Sequence, residues 1–98
     1  MQYSNYQESK RHITELNDFR SNSMWGQLRD NEYIVVSYST PIAYIKADCS
    51  KAFVNVRKYS VTTSKQQTYV RQAVEALRLK HPEMQVVEYS DYSEIAGK

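Results

Sequence analysis

Two histidines, His12 and His81, and one cysteine, Cys49, are the side chains in this 98-residue chain best suited to chemistry near neutral pH. A metal site needs three or four clustered ligands, and no CxxC, HxxxH or HExxH spacing occurs. His12 lies in a charged helical stretch. His81 precedes Pro82, where an imidazole favourably caps a helix dipole. A nucleophilic Cys49 would need a lowered thiol pKa and a base, and only Lys51 lies close in sequence, so it reads as a turn cysteine. The acid pairs Asp30/Glu32 and Glu88/Asp91 fall in a turn and near the C-terminus and read as solvated charges. With only Gly26 and Gly97, no glycine-rich loop can cradle a phosphate. Thr62-Thr63-Ser64 could hold one anion through free amides, but helix capping accounts for those residue types. No catalytic constellation, metal site or cofactor site is expected, so the reading is not of an enzyme.

Charge is the stronger signal. The net charge is only +2, but residues 41–80 carry eight bases against two acids, while residues 81–98 carry one base against four acids. Arg57, Lys58, Lys65, Arg71 and Arg78 are the candidate nucleic-acid contacts. Arg71 and Arg78 are nearly two helical turns apart and share a side, with Tyr59 and Tyr69 as stacking rings. The acidic end of the chain weighs against this reading, because counterion release favours an uninterrupted positive surface. Nine of the twelve aromatics are Tyr, a residue that pairs an apolar ring with a hydroxyl and anchors interfaces. Trp25, Tyr33, Tyr38 and Tyr44 are therefore the candidate protein-binding anchors.

These residues need elements to hold them. Residues 5–19 read as a helix with Ser4 as N-cap and a thin stripe of Tyr6, Ile13, Leu16 and Phe19. Residues 20–23 read as a linker. Strands follow at Met24–Arg29, Tyr33–Ser39, Ile42–Lys46 and Ala52–Lys58, with Asp30-Asn31 as a turn and Pro41 at a strand start, edge or bulge. Such short connections imply an antiparallel meander. Thr63 with Gln66, or Ser64 with Gln67, would make a capping box. The helix behind it carries Tyr69, Val70, Ala73, Val74 and Leu77 at i, i+3, i+4, i+7 spacing and stops at His81-Pro82. Met84–Tyr89 reads as a last strand and residues 90–98 as a frayed tail. The expected class is α+β in one domain spanning 1–98: helix 1–20, then 21–89 as sheet plus second helix. The order is α-β-β-β-β-α-β, a small antiparallel sheet of about four to five strands with two helices on one face.

Tyr38-Ser-Thr-Pro-Ile-Ala43, followed by Lys58-Tyr-Ser-Val-Thr-Thr-Ser-Lys-Gln66, resembles an uncharacterised domain family of small bacteriophage and mobile-element proteins. Ser21-Asn22-Ser23-Met24 and Tyr33-Ile-Val-Val36 are similar to that family's approach to the sheet, and the resemblance covers residues 19–74. Family members commonly carry a His where this chain has Gln66, so no acid–base role is carried over. The resemblance implies a phage context, in which small stand-alone proteins often block a host factor, including inhibitors of restriction or CRISPR defence.

A lone cysteine forms no internal disulfide, and no apolar run approaches a membrane span, so a cytoplasmic protein with no membrane partner is expected. The expected function is non-enzymatic: binding and inhibiting a host protein as a monomer or homodimer. Nucleic-acid binding by a basic face of the second helix is the alternative.

Overall fold

The computed structural model describes residues 6–21 and 23–91, and the side chains from Glu8 onward. The elements are α1 (Tyr6–Thr14), β1 (Phe19–Arg20), β2 (Met24–Arg29), β3 (Glu32–Ser37), β4 (Thr40–Lys46), β5 (Lys51–Asn55), α2 (Val61–Lys80) and β6 (Gln85–Tyr89). They form a small α+β fold with one six-stranded sheet in the order β1-β2-β3-β4-β5-β6.

The meander follows from its turns. Two-residue loops join β2 to β3 and β3 to β4, with Arg29 opposite Glu32 and Ser37 opposite Thr40. The first loop residue has positive φ in each, Asp30 at 53° and Tyr38 at 58°. Asp adopts that region readily, whereas a bulky Tyr does so only with strain. In β4 the register slips, so that Val35 faces Ala43, Val36 faces Pro41, and Ile42 is the extra residue. The bulge suits Pro41, which cannot donate to a ladder. It also lets Ile42 join its neighbours Ala43 and Ile45 in the core.

The sheet is larger than the sequence suggested, and it is mixed. Helix α1 ends at Thr14, not at Phe19, because Leu16 turns into the left-handed region at φ 54°. Phe19 then opens a short strand against Gly26, inside a stretch read as helix and linker. Strand β5 stops at Asn55, and the chain returns through α2 to lay β6 parallel to β5. That β-α-β crossover replaces the all-antiparallel arrangement, since parallel neighbours need a long connection and α2 supplies it.

Both helices lie on one face. Val70, Ala73, Val74 and Leu77 of α2 and Ile13 of α1 pack on Met24, Tyr33, Val35, Ile45, Ala52 and Val54. On the other face Tyr44 and Val87 pack against Phe53 and Tyr89 in a smaller cluster. Among the described residues, no helix is long and apolar enough to cross a membrane. The N-cap reading of Ser4 and most of the proposed tail, residues 92–98, lie outside the described residues.

Candidate functional site

Helix α2 begins not at a Thr63–Gln66 capping box but one turn earlier. Ser60 is the N-cap, and its hydroxyl accepts from the Thr63 amide at 3.1 Å. This frees the expected box partners for other work. The Ser60 hydroxyl donates to Thr63 Oγ1 at 3.2 Å, and the Thr63 hydroxyl lies 3.2 Å from that of Ser37. Ser37 donates to Gln66 Oε1, and Gln66 Nε2 donates to Ser23 Oγ at 2.6 Å. One consistent donation order thus runs Ser60, Thr63, Ser37, Gln66, Ser23, and such chains strengthen one another where water is excluded. Gln66 is 0% exposed, and Ser37 and Thr63 are buried. The chain ties α2 to the β3–β4 hairpin and to the start of β2.

A second polar set flanks it. Gln67 Nε2 donates to the Asn55 and Arg57 carbonyls at 2.8 and 3.1 Å. Asn55 Nδ2 donates to the Pro41 carbonyl at 3.2 Å and to the Tyr59 hydroxyl at 2.9 Å, while Asn55 Oδ1 accepts from the Arg57 amide at 2.9 Å. These bonds fix the β5–α2 connection, residues 56–60, against β4 and α2. Beside them lies a cleft of about 170 Å³ bordered by Pro41, Tyr44, Asn55, Arg57, Tyr59, Tyr89 and Asp91.

This scaffold presents apolar side chains outward among exposed polar and basic ones. Among the described residues the large exposed hydrophobics are Leu28, Tyr38, Val56, Tyr59, Val61 and Leu79. Four of them, Tyr38, Val56, Tyr59 and Val61, sit at this one end of the sheet. Val61 is 87% exposed and Tyr38 61%. Tyr38 projects from the strained loop position, where its amide donates to the Ser23 carbonyl at 2.6 Å. The Arg57 guanidinium stands 5.8 Å from the centre of the Tyr59 ring.

The candidate anchors separate. Tyr33 is fully buried on the helix-covered face, where its hydroxyl donates to the Asn17 carbonyl at 2.7 Å, so it offers no surface to a partner. Burial, with the nearby Asp18 carboxylate, pushes its phenol far above the usual range. Trp25 and Tyr44 are half-buried on the opposite face, Trp25 across from Val36 and Tyr44 between Ile34 and Phe53. Tyr38 alone of the four is widely exposed.

The basic residues separate too. Arg71 pairs with Glu88 and Arg78 with Glu75, each at 3.5 Å. Both pairs border a groove of about 290 Å³ over Val54, Val74 and Val86. Arg57 and Lys58 lie beyond the end of β5, not in it, and together with Lys65 make no ion pair among the described residues. Arg71 and Arg78 thus share one groove with acids, and Arg57, Lys58 and Lys65 do not border it.

The remaining reactive side chains have structural settings. His81 is the C-cap of α2, its amide donating to the Leu77 carbonyl. The His12 ring stacks on Phe19 at 6.1 Å. Cys49 is a buried turn residue at φ 59°, and burial, with the Asp48 carboxylate, pushes its thiol up. Asp48 itself is held below the usual range by hydrogen bonds from Ser50. Among the described residues no three His, Cys, Asp or Glu side chains are grouped to hold a metal ion.

The model of a family of unknown function, DUF8033, matches residues 5–90. The chain belongs to this family. The match takes in α1 and β6, which lie outside the 19–74 resemblance. No curated protein and no solved structure matches the chain. In this DUF8033 chain the Tyr38–Ala43 and Lys58–Gln66 runs, apart in sequence, meet at the start of α2. Sequence reasoning named Tyr59 only as a stacking ring for nucleic acid, and it missed Val56 and Val61 as surface residues and Gln66 as a buried one. The available signal was that Tyr59, Val61 and Gln66 all fall inside the second run.

Proposed function

We propose that this protein is a non-enzymatic binding protein, and that the sheet end around the start of α2 is its docking surface. The observation that carries the reading is the exposure of Tyr38, Val56, Tyr59 and Val61 at the one end of the sheet where a largely buried hydrogen-bond chain ties α2 to the β3–β4 hairpin. Exposed apolar side chains are ordinary when scattered; gathered on a preorganised frame they fit an interface core. A strained Tyr38 adds support, because backbone strain persists where function needs the side chain there. The resemblance to phage and mobile-element proteins supports a host protein as the partner and inhibition of it, of the restriction or CRISPR type, as the outcome. The pairing of Arg71 and Arg78 with acids weighs against a nucleic-acid face along α2.

The test compares host-lysate capture by the wild type with capture by Tyr38→Ala, Tyr59→Ala and Val61→Ser. The expected result is a protein retained by the wild type and lost from all three. Labelled DNA and RNA, titrated at low and near-physiological salt, provide the control. Tight nucleic-acid binding with a steep salt slope would replace this reading with the alternative.

A further inference from the structure

We infer that the docking surface at the start of α2 takes an acidic segment of a partner protein, one that alternates carboxylates with apolar side chains. The inference rests on the reading of this end as a docking surface and names the chemistry of what docks there. Three exposed cations accompany the exposed apolar residues in this stretch: Arg57 and Lys58 in the connection, with Arg57 against the Tyr59 ring, and Lys65 one turn beyond Val61 on the helix. None has an ion-pair partner among the described residues, a state they share with Arg11, Arg20, Arg29, Lys51 and Lys80, whereas Lys46, Arg71 and Arg78 pair with Glu32, Glu88 and Glu75. Asp91 is the acidic neighbour, bordering the same cleft as Arg57.

The helix adds to this field. A helix N-terminus carries partial positive charge, which a Glu or Asp in the first turn normally offsets. The first turn of the 20-residue α2 has no acidic residue, and Lys65 follows it. Ser60 satisfies the Thr63 amide without supplying a negative charge, so this end keeps the positive sign of its dipole next to three cations. An anionic partner gains attraction there and steering on approach. The valines decide between anions. Val56 and Val61 gain nothing from a sugar–phosphate backbone, whereas apolar side chains placed between carboxylates would cover them.

The test uses three labelled synthetic peptides with one apolar frame, in which the alternate positions are Asp/Glu, Asn/Gln or Lys. Anisotropy is read at low and near-physiological salt, and duplex DNA of similar charge is the fourth probe. The acidic peptide should bind at least about tenfold more tightly than the neutral one, with salt weakening it, since several exposed ion pairs of a few-fold each combine. The triple variant Arg57→Glu/Lys58→Glu/Lys65→Glu should lose that preference and bind the Lys peptide instead. This charge swap keeps the fold's buried groups and is checked by an unchanged circular dichroism spectrum. Equal binding of acidic and neutral peptides, abolished by Val61→Ser, would overturn the acidic partner while leaving the docking surface standing. Binding to DNA in preference to every peptide would overturn the assignment of the cations to a protein. Binding to none would overturn the surface and its partner together.

Discussion

Replacing Tyr38 with Gly separates what this residue does for the fold from what it does for a partner. Tyr38 occupies the left-handed region at φ 58°, which costs an L side chain about 1–2 kcal/mol and costs Gly nothing. Gly also loses more freedom on folding, a penalty of about 0.4–1 kcal/mol. The ring is 61% exposed and joins neither buried cluster, so little packing is lost with it. The net expectation is a gain of about 0.5–1 kcal/mol for Tyr38→Gly, which in a domain of this size raises Tm by a few degrees. Tyr38→Ala keeps the strain and should be neutral or slightly destabilising. If Tyr38 anchors a partner, both variants lose binding by about 1–2 kcal/mol or more, roughly 5- to 30-fold. Urea unfolding gives the first quantity and anisotropy with the acidic peptide the second. A Tyr38→Gly variant destabilised by more than about 1 kcal/mol would refute the reasoning, since the ring would then be part of the fold.

Gln66→Ala should cost about 2–4 kcal/mol in urea unfolding. It leaves a cavity where no water reaches and strips Ser23 and Ser37 of their shared partner. Gly26→Ala should be similarly damaging, by about 1–3 kcal/mol, because a Cβ there overlaps the Phe19 ring and the Tyr33 hydroxyl. Tyr33→Phe should cost about 1 kcal/mol near neutral pH through loss of the bond to the Asn17 carbonyl. Its pH profile carries a further prediction. The folded-state phenol is raised above its unfolded value near 10, so its contribution is complete below that pH and is lost as pH rises beyond it. Stability curves of wild type and variant should therefore converge above pH of about 10.

Much of the fold was legible in local pattern, and the exceptions have long-range causes. The α2 stripe from Val70 to Leu77 and the middles of β3 and β4 read correctly because burial imposes its period directly. The strand expected to reach Ser39 stops at Ser37, with Tyr38 in the turn, and β4 starts at Thr40 rather than Ile42. Tyr33 did not, since both faces of β3 are apolar and alternation alone cannot say which one the helices cover. Phe19 continued a helical stripe on paper, but the chain leaves the helix at Leu16. The parallel β6 was hidden because pairing direction is set by the α2 crossover rather than by the strand's own residues. At the candidate site, Gln66 looked like a capping side chain. Its real partners, Ser37 and Ser23, are 29 and 43 residues away. The spacing of Arg71 and Arg78 was right for a shared side, but Glu88 reaches Arg71 from another element.

The crossover has a consequence for the order of events during synthesis. Strands β1 to β5 are joined by short links and can pair as each leaves the ribosome, but the part of the helix-covered face that Val70, Ala73, Val74 and Leu77 cover stays open until α2 arrives. The Tyr38 hairpin is held from the far side by Gln66, and β6 can align only after α2 has crossed. A nascent chain that ends before α2 therefore carries the Tyr38–Ala43 run without the surface it belongs to. If that surface is the docking site proposed above, it is complete only once α2 is in place, and a chain truncated before α2 should fail to bind the acidic peptide at all.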